Sequence, residues 1–246
     1  MNLILTVLEI VAPVFFLATI GVVWVRAGLE YDIQFVTRLT TILSVPCLIF
    51  VALMEMEIDH AALRNLTLAT LLGYALLTVF AVLFVRLTQL ETRTYLAPDI
   101  MGTPGNIGLP LALFAFGDEG LGYAVIIFSI MAVYAFTFGI AMVSGSLSLR
   151  VLLKEPMIPA TLFGALFLLA GWQTPAIVTS SMRLIGQMAI PMMLITLGVA
   201  VARLRPAALG QAIWISASRL VLCLIAGIIA ATVFELPTVA FAVLTL

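Results

Sequence analysis

The residues with the clearest chemical potential lie in one short stretch, Met101–Leu111, inside a long apolar run. Three glycines and two prolines fall within nine of its positions: Gly102, Pro104, Gly105, Gly108 and Pro110. Proline removes an amide donor and clashes with the preceding helical turn, and glycine weakens the helix further. We therefore predict that a membrane-spanning helix breaks here, and that a half-helix starting near Pro110 points its positive N-terminal end at the break.

Asn106, in the middle of this stretch, carries a neutral amide that both donates and accepts hydrogen bonds. We predict that Gly105, Asn106, Gly108 and Pro110 form a binding site in which Asn106 and the free amides after Gly108 hold a carboxylate. Backbone groups freed by a break must be satisfied within the membrane, so the stretch should face protein or a water-filled cavity. A kinked helix packed closely on its neighbours is the alternative.

Arg219 is the clearest charge deep inside an apolar run, twelve residues past Ala207. At 1.5 Å per residue it lies roughly 18 Å into the bilayer. A charge at such a depth costs on the order of 3 kcal/mol and usually faces a cavity and has a partner. We predict that Arg219 assists in binding a substrate carboxylate, with an internal ion pair as the alternative. Glu9, roughly 9 Å inside the first apolar run, is a candidate for proton coupling.

Pro46 and Pro191 fall in the middle of two other apolar runs. A proline in mid-span kinks its helix, and a kink that lines a cavity would contribute to a binding site. We include both prolines in the predicted substrate site, and simple kinks are the alternative.

The composition requires lipid as the solvent. Apolar types make up 64% of the 246 residues and charged types 9%, and the mean hydropathy is +1.27. Soluble domains are about half apolar and about a quarter charged. Because a spanning helix takes about 20 residues, the chain has room for about nine spans and none for a soluble catalytic domain.

The apolar runs predict an all-α integral membrane protein with about nine transmembrane helices, separated by short polar breaks. Spans 1 to 8 are Leu3–Val25, Phe35–Met54, Leu66–Val85, Leu96–Phe116, Leu121–Val143, Pro156–Trp172, Met182–Val201 and Ala207–Phe234. Span 9 begins at Leu236 and reaches Leu246, which is about half of a span.

Basic residues predict the orientation of the chain. Eight of them follow spans 1, 3, 5 and 7, whereas the opposite loops hold only Arg64 and Arg183. The positive-inside rule places the first set in the cytoplasm and the N-terminus outside. We expect a multi-pass protein of the inner or plasma membrane.

The chain repeats itself at an offset of 145 to 146 residues. Glu9 and Pro13 match Glu155 and Pro159, Pro46 matches Pro191, and Ala61–Leu63 matches Ala207–Leu209. The repeat predicts two five-helix domains, residues 1–147 and 148–246, with the second incomplete because span 9 stops before its expected break. An odd number of helices inverts the second copy across the membrane, as in many secondary carriers.

Other classes of function lack support in the sequence. It contains no His-Glu-x-x-His, Gly-x-Ser-x-Gly or Walker pattern, and no basic tract that could follow nucleic acid. Cys47 and Cys223 form neither a disulfide framework nor a metal pattern. We expect no catalysis, cofactor, metal site or nucleic-acid partner. The expected partners are the lipid bilayer, a small carboxylate, a proton or sodium ion, and a second copy in a homodimer.

Three segments resemble a known family. Gly105–Leu111, running on to Phe116–Gly120, is similar to the fourth helix of the auxin efflux carrier family, including its bacterial malonate- and malate-type members. Pro46–Phe50 resembles the second helix of the family, and Pro191–Ala200 resembles the seventh. The likeness covers the whole chain, which looks like a member that lacks the C-terminal part.

The resemblance implies ten helices in two inverted repeats, with helices 4 and 9 broken at prolines and crossing near the midplane. It implies that an organic acid anion is held at the crossing, where Asn106 and Pro110 lie, and is carried across by an elevator-like movement. Many members have another asparagine three residues before Asn106, where this sequence has Thr103.

The sequence thus favours a secondary transporter of small organic acid anions, with the anion bound at span 4. One alternative is a sodium-coupled carrier of the bile-acid or arsenite type, which shares the crossed broken helices. The other is a non-transporting membrane subunit or a truncated relic, which the early end of span 9 favours.

Overall fold

The computed structural model describes residues 3–56, 58–88, 104–135, 137, 155–204 and 209–246. Within those residues the chain is helical and contains no strand. The helices are α1 Leu3–Arg26, α2 Ile33–Leu39, α3 Val45–Glu55, α4 His60–Thr88, α5 Pro104–Tyr134, α6 Met157–Ala170, α7 Ala176–Gln187, α8 Ala189–Arg203, α9 Leu209–Val233 and α10 Thr238–Thr245. A π-helical turn, Thr40–Ser44, joins α2 to α3.

Six stretches of the described chain are long and apolar enough to cross a membrane. They are Val7–Arg26, Ile33–Glu55, His60–Phe84, Ile107–Tyr134, Ala176–Arg203 and Ile213–Val233. Helix α6 is apolar but shorter. The chain is therefore a multi-pass helical membrane protein, whereas the total of nine spans stays a prediction.

Spans 3 and 7 show how the predicted spans differ from the helices that the structure contains. Span 3 begins at His60 rather than at Leu66, because the Asp59 carboxylate accepts a hydrogen bond from the Ala61 amide at 3.2 Å and caps the helix. Span 7 is two helices, α7 and α8, which meet at Met188.

The helices form two compact units. Unit 1 contains α1, α2, α3, α6, α7, α8 and the part of α5 up to Val125. Unit 2 contains α4, α9, α10 and the part of α5 from Ile126 onward. Each unit takes helices from both of the predicted repeats.

In unit 1, α1 packs against α8 so closely that backbone meets backbone. A Cβ atom at Gly198 would collide with the carbonyl oxygen of Ala18, and one at Gly21 would collide with the carbonyl oxygen of Ile195. The absence of side chains at both glycines therefore permits this seam, which we name the α1–α8 seam.

A second seam in unit 1 joins α6 to α3. A Cβ atom at Gly164 would lie 3.0 Å from Cδ1 of Leu53 and 3.3 Å from Cα of Phe50. The ring of Phe50 meets the ring of Phe167 edge to face, with the centroids 5.2 Å apart. This α3–α6 seam thus combines one small residue with an aromatic pair.

The two seams correspond to each other at the sequence offset of 145 to 146 residues. Ala18 plus 146 is Gly164, and Leu53 plus 145 is Gly198, so the contact of Ala18 with Gly198 corresponds to that of Leu53 with Gly164. In the same way the contact of Gly21 with Ile195 corresponds to the pair Phe167 and Phe50.

In unit 2, α9 packs against both α4 and α10. A Cβ atom at Gly73 would lie 3.6 Å from Cβ of Ala230, and one at Gly227 would lie 3.1 Å from the carbonyl oxygen of Leu244. The inner face of α9, which includes the fully buried Ala230 and Ala231, is therefore lined by small residues.

Candidate functional site

The start of α5 carries the main predicted site residues. Gly105 and Asn106 lie in the first turn of α5, which the structure describes from Pro104, and the Asn106 side chain lies outside the described part. The helix continues through Pro110, where we had predicted the second half-helix to begin. That prediction of a break at Pro110 is wrong; any break among Met101–Thr103 lies outside the described residues.

Proline inside a helix removes one hydrogen bond without ending the helix. Pro110 has no amide hydrogen to donate to the carbonyl oxygen of Asn106, four residues earlier. The Asn106 carbonyl is therefore left as an acceptor without its regular helical donor, while the amides of Gly105 and Asn106 lie in the first described turn. This turn therefore offers a ligand both backbone hydrogen-bond donors and a backbone hydrogen-bond acceptor.

The real interruption of α5 lies at Gly117, whose φ is 64° and ψ is −152°. A Cβ atom at Gly120 would lie 2.6 Å from the carbonyl oxygen of Ala112 and 2.5 Å from Cβ of Phe116. In a straight helix, residues eight positions apart are about 12 Å apart along the axis, so the chain turns back sharply at Gly117. The described segment from Pro104 to Phe116 is then about 20 Å long.

This short segment packs inside unit 1. Leu111, Leu113 and Phe114 contact a buried cluster of Val14 from α1 with Ile190 and Leu194 from α8. Leu109 and Pro110 are themselves buried. The structure therefore places the residues that follow Pro110 against a cluster to which α8, the helix that carries Pro191, contributes.

Pro46 and Pro191 mark equivalent interruptions of their helices. Pro46 is the second residue of α3, after the π-helical turn, and Pro191 is the third residue of α8, after the turn at Met188. At the start of a helix a missing amide hydrogen costs little. A Cβ atom at Gly186 would lie 2.9 Å from the amide nitrogen of Leu48, so the two interruptions are adjacent in unit 1.

Polar contacts hold these interrupted helices together. The Tyr31 hydroxyl and the Thr196 hydroxyl are 2.8 Å apart, and the Arg203 guanidinium donates to the Tyr31 carbonyl at 3.0 Å. Arg183 of α7 forms an ion pair with Glu55 at the end of α3. Sequence reasoning had not singled out these contacts, because their partners are more than 100 residues apart.

Arg219 belongs to unit 2, where it is partly buried on α9. It forms no ion pair or hydrogen bond with any residue that the structure describes. The ring of Tyr74 on α4 stacks on that of Tyr134, with the ring centroids 5.6 Å apart. The internal ion pair that was the alternative for Arg219 is not found among the described residues.

Two further features of the described chain bear on the site. Glu9 is exposed on α1. A groove of about 320 Å³ lies beside the end of α1 and is lined by Phe16, Thr19, Ile20, Val23, Trp24, Ala27 and Leu29. Its lining is almost wholly apolar, so it does not suit an anion.

No group of three or more His, Cys, Asp or Glu side chains able to hold a metal occurs in the described ranges.

Comparison with known proteins supports transport as the class of function. Residues 142–246 match the family described as "Membrane transport protein". This match covers about two-fifths of the chain, including α6 to α10, and the α5 segment lies outside it. No curated protein matches the chain. The chain is thus similar to membrane transport proteins over its C-terminal part.

Proposed function

We propose that the chain is a secondary transporter of small organic acid anions across the plasma membrane, of the auxin efflux carrier type, with its N-terminus outside. The proposal is supported by the segment from Pro104 to Phe116, which has Asn106 in its first described turn and packs on a cluster formed by α1 and the interrupted helix α8. We propose that this helix ends near Pro104 within the membrane, where its first turn faces protein or a water-filled cavity.

The backbone of that first turn supplies the chemistry for binding. Its amides and the positive end of the helix dipole suit a carboxylate. We propose that the amides of Gly105 and Asn106, rather than those after Gly108, hold the anion. Gly108 adds no side chain to the surface of the helix. The buried Pro110 leaves the Asn106 carbonyl oxygen free to accept a hydrogen bond or to coordinate a cation.

The paired seams of unit 1 support the carrier architecture. Contacts at Gly198 and Gly164 correspond at the offset of the sequence repeat. We propose that residues 1–147 and 148–246 are two inverted repeats, and that the interruptions at Pro46 and Pro191 are the same feature in the two copies. Inverted repeats with interrupted helices are a common plan of secondary carriers.

The site is tested with Asn106→Ala in the full-length protein expressed from its own gene. Malonate binding, measured by isothermal titration in detergent, should weaken by at least about tenfold, because a ligand group and its orientation are lost. Asn65→Ala on α4 is the matched control and should bind malonate normally. Equal affinity in Asn106→Ala and the wild type would remove Asn106 from the site.

The same preparation separates the proposal from its two alternatives. Binding that disappears when sodium is replaced by N-methylglucamine would favour the sodium-coupled bile-acid or arsenite type over proton coupling. A protein that binds no carboxylate and copurifies strictly with a second protein would favour the non-transporting subunit.

A further inference from the structure

The groove beside the end of α1 follows one face of that helix. Its lining residues Phe16, Ile20, Val23 and Ala27 recur at spacings of three and four, which places them in one stripe. The residues that meet α8 in the α1–α8 seam lie on the other side of α1. From Phe16 to Ala27 the groove runs about 16 Å along the helix axis. It therefore lies along a helix that is apolar enough to cross a membrane.

The turn that ends α1 closes one end of the groove. The Leu29 amide donates to the Trp24 carbonyl at 3.2 Å, the Gly28 amide donates to the Val25 carbonyl at 3.1 Å, and Gly28 has a φ of 73°. This is a Schellman turn, which carries Leu29 back beside Trp24. The Trp24 Nε1–H also donates to the Glu30 carbonyl oxygen at 3.1 Å. The indole and the Leu29 side chain thus form the end of the groove together.

Two opposite charges lie at this end. Arg26 precedes the lining residue Ala27, Glu30 follows the lining residue Leu29, and both charged residues are exposed. Arg26 is the last residue of the stretch that is apolar enough to cross a membrane. Tryptophan is typical of the level where lipid headgroups begin. The groove therefore combines an apolar channel along the helix with a positive and a negative group at the membrane surface.

We propose that this groove binds a phospholipid whose headgroup carries a primary ammonium group, as in phosphatidylethanolamine. One acyl chain lies in the groove between Phe16 and Ala27. The Arg26 guanidinium donates to the lipid phosphate, and the Glu30 carboxylate accepts hydrogen bonds from the ammonium group. A choline headgroup has no N–H to donate, and a glycerol headgroup has no positive charge. The inference concerns lipid rather than the transported solute, so it does not rest on the proposed function.

The test uses brominated phospholipids, because bromine on an acyl chain quenches the fluorescence of a tryptophan that the chain touches. The purified protein carries Trp172→Phe and Trp214→Phe, which leaves Trp24 as the emitter, and is reconstituted in mixtures of brominated and unbrominated lipid. We expect phosphatidylethanolamine to bind beside Trp24 about fivefold more strongly than phosphatidylcholine or phosphatidylglycerol, as one partly exposed charged contact implies.

Variants assign the preference to its parts. Glu30→Gln should remove the preference for phosphatidylethanolamine over phosphatidylcholine. Arg26→Gln should remove its preference over brominated diacylglycerol, which has no phosphate. Ala27→Phe fills the groove while both charges remain, and should abolish the preference. Leu8→Phe, at an exposed position of α1 outside the groove, is the matched control and should keep it.

A protein that retains Trp214 in place of Trp24 is the control for general contact with lipid, since Trp214 is exposed on α9. All three phospholipids should quench it equally. Equal binding of the three headgroups beside Trp24, or a preference for phosphatidylglycerol, would overturn the inference without recourse to any groove variant. Trp24 that no brominated lipid quenches would also overturn it, because protein such as a second copy of the chain would then cover the groove.

Discussion

The α1–α8 seam gives the most quantitative prediction for stability. In Gly198→Ala the new methyl group meets the carbonyl oxygen and carbon of Ala18, which are backbone atoms and cannot rotate aside. The two helices must therefore separate along the seam. Overpacking typically costs about 1–3 kcal/mol, and we expect the upper end because the obstacle is backbone.

Gly164→Ala perturbs the corresponding position of the α3–α6 seam more mildly. Its nearest obstacle is the flexible Leu53 side chain at 3.0 Å, with the Phe50 backbone at 3.3 Å. We expect about 1–2 kcal/mol of destabilisation there. Gly210→Ala on α9 is the control, because nothing lies within 4 Å of its new methyl group. Alanine also favours a helix over glycine by up to about 1 kcal/mol.

The assay is thermal unfolding of the purified protein in detergent, followed by the loss of its monodisperse peak in size-exclusion chromatography. At about 2–4 °C per kcal/mol for a chain of this size, Gly198→Ala should lower the melting temperature by about 6–12 °C. Gly164→Ala should lower it by less, and Gly210→Ala should not lower it. An unchanged melting temperature in Gly198→Ala would refute the close seam.

Two further predictions concern the turn in α5 and the polar contacts of unit 1. Gly117→Ala should destabilise the protein by about 1–2 kcal/mol, since a φ of 64° disfavours any residue with a Cβ; a melting temperature equal to that of the wild type would contradict the turn. Tyr31→Phe should cost about 1 kcal/mol through loss of the hydrogen bond to Thr196. In the Thr196→Val background the same change should cost little, and an equal cost in both backgrounds would show that the pair is not coupled.

The composition was sufficient to predict lipid as the solvent, and the apolar runs were sufficient to predict the positions of most described helices. Helix α1 matches its predicted span to one residue at its C-terminal end, and α9 ends within one residue of the prediction. These runs are long and uninterrupted, so hydropathy alone defines them. The polar ends were less predictable, because capping by Asp59 extends α4 over residues that hydropathy places outside.

The interruption of α5 shows that the position of a proline does not by itself predict where a helix breaks. The sequence suggested Pro110, yet a helix absorbs a single proline by giving up one hydrogen bond. Gly117 instead adopts a positive φ that requires glycine, and two acidic residues, Asp118 and Glu119, follow it as an exposed turn. The Phe116–Gly120 segment carried that signal, because glycine and acidic residues favour turns.

Contacts between distant parts of the chain could not be predicted from the sequence. Thr78 and Tyr134 are 56 residues apart, and no local pattern pairs them. Arg219 is recognisable in the sequence as a charge deep in a span, but only the structure shows that it forms no ion pair with the residues described. The corresponding glycine contacts of the two seams likewise appear only in three dimensions.

The measurement that tests the central claim most directly is uptake of radiolabelled malonate by proteoliposomes containing the full-length protein. We expect wild-type protein to accumulate malonate in a saturable manner when a proton or sodium gradient is imposed. Proteoliposomes with Asn106→Ala should take up no more than empty liposomes, while those with Asn65→Ala should match the wild type. Wild-type vesicles no more permeable than empty ones to malonate and to other small carboxylates, under either gradient, would contradict the claim that this chain is a carrier of organic acid anions.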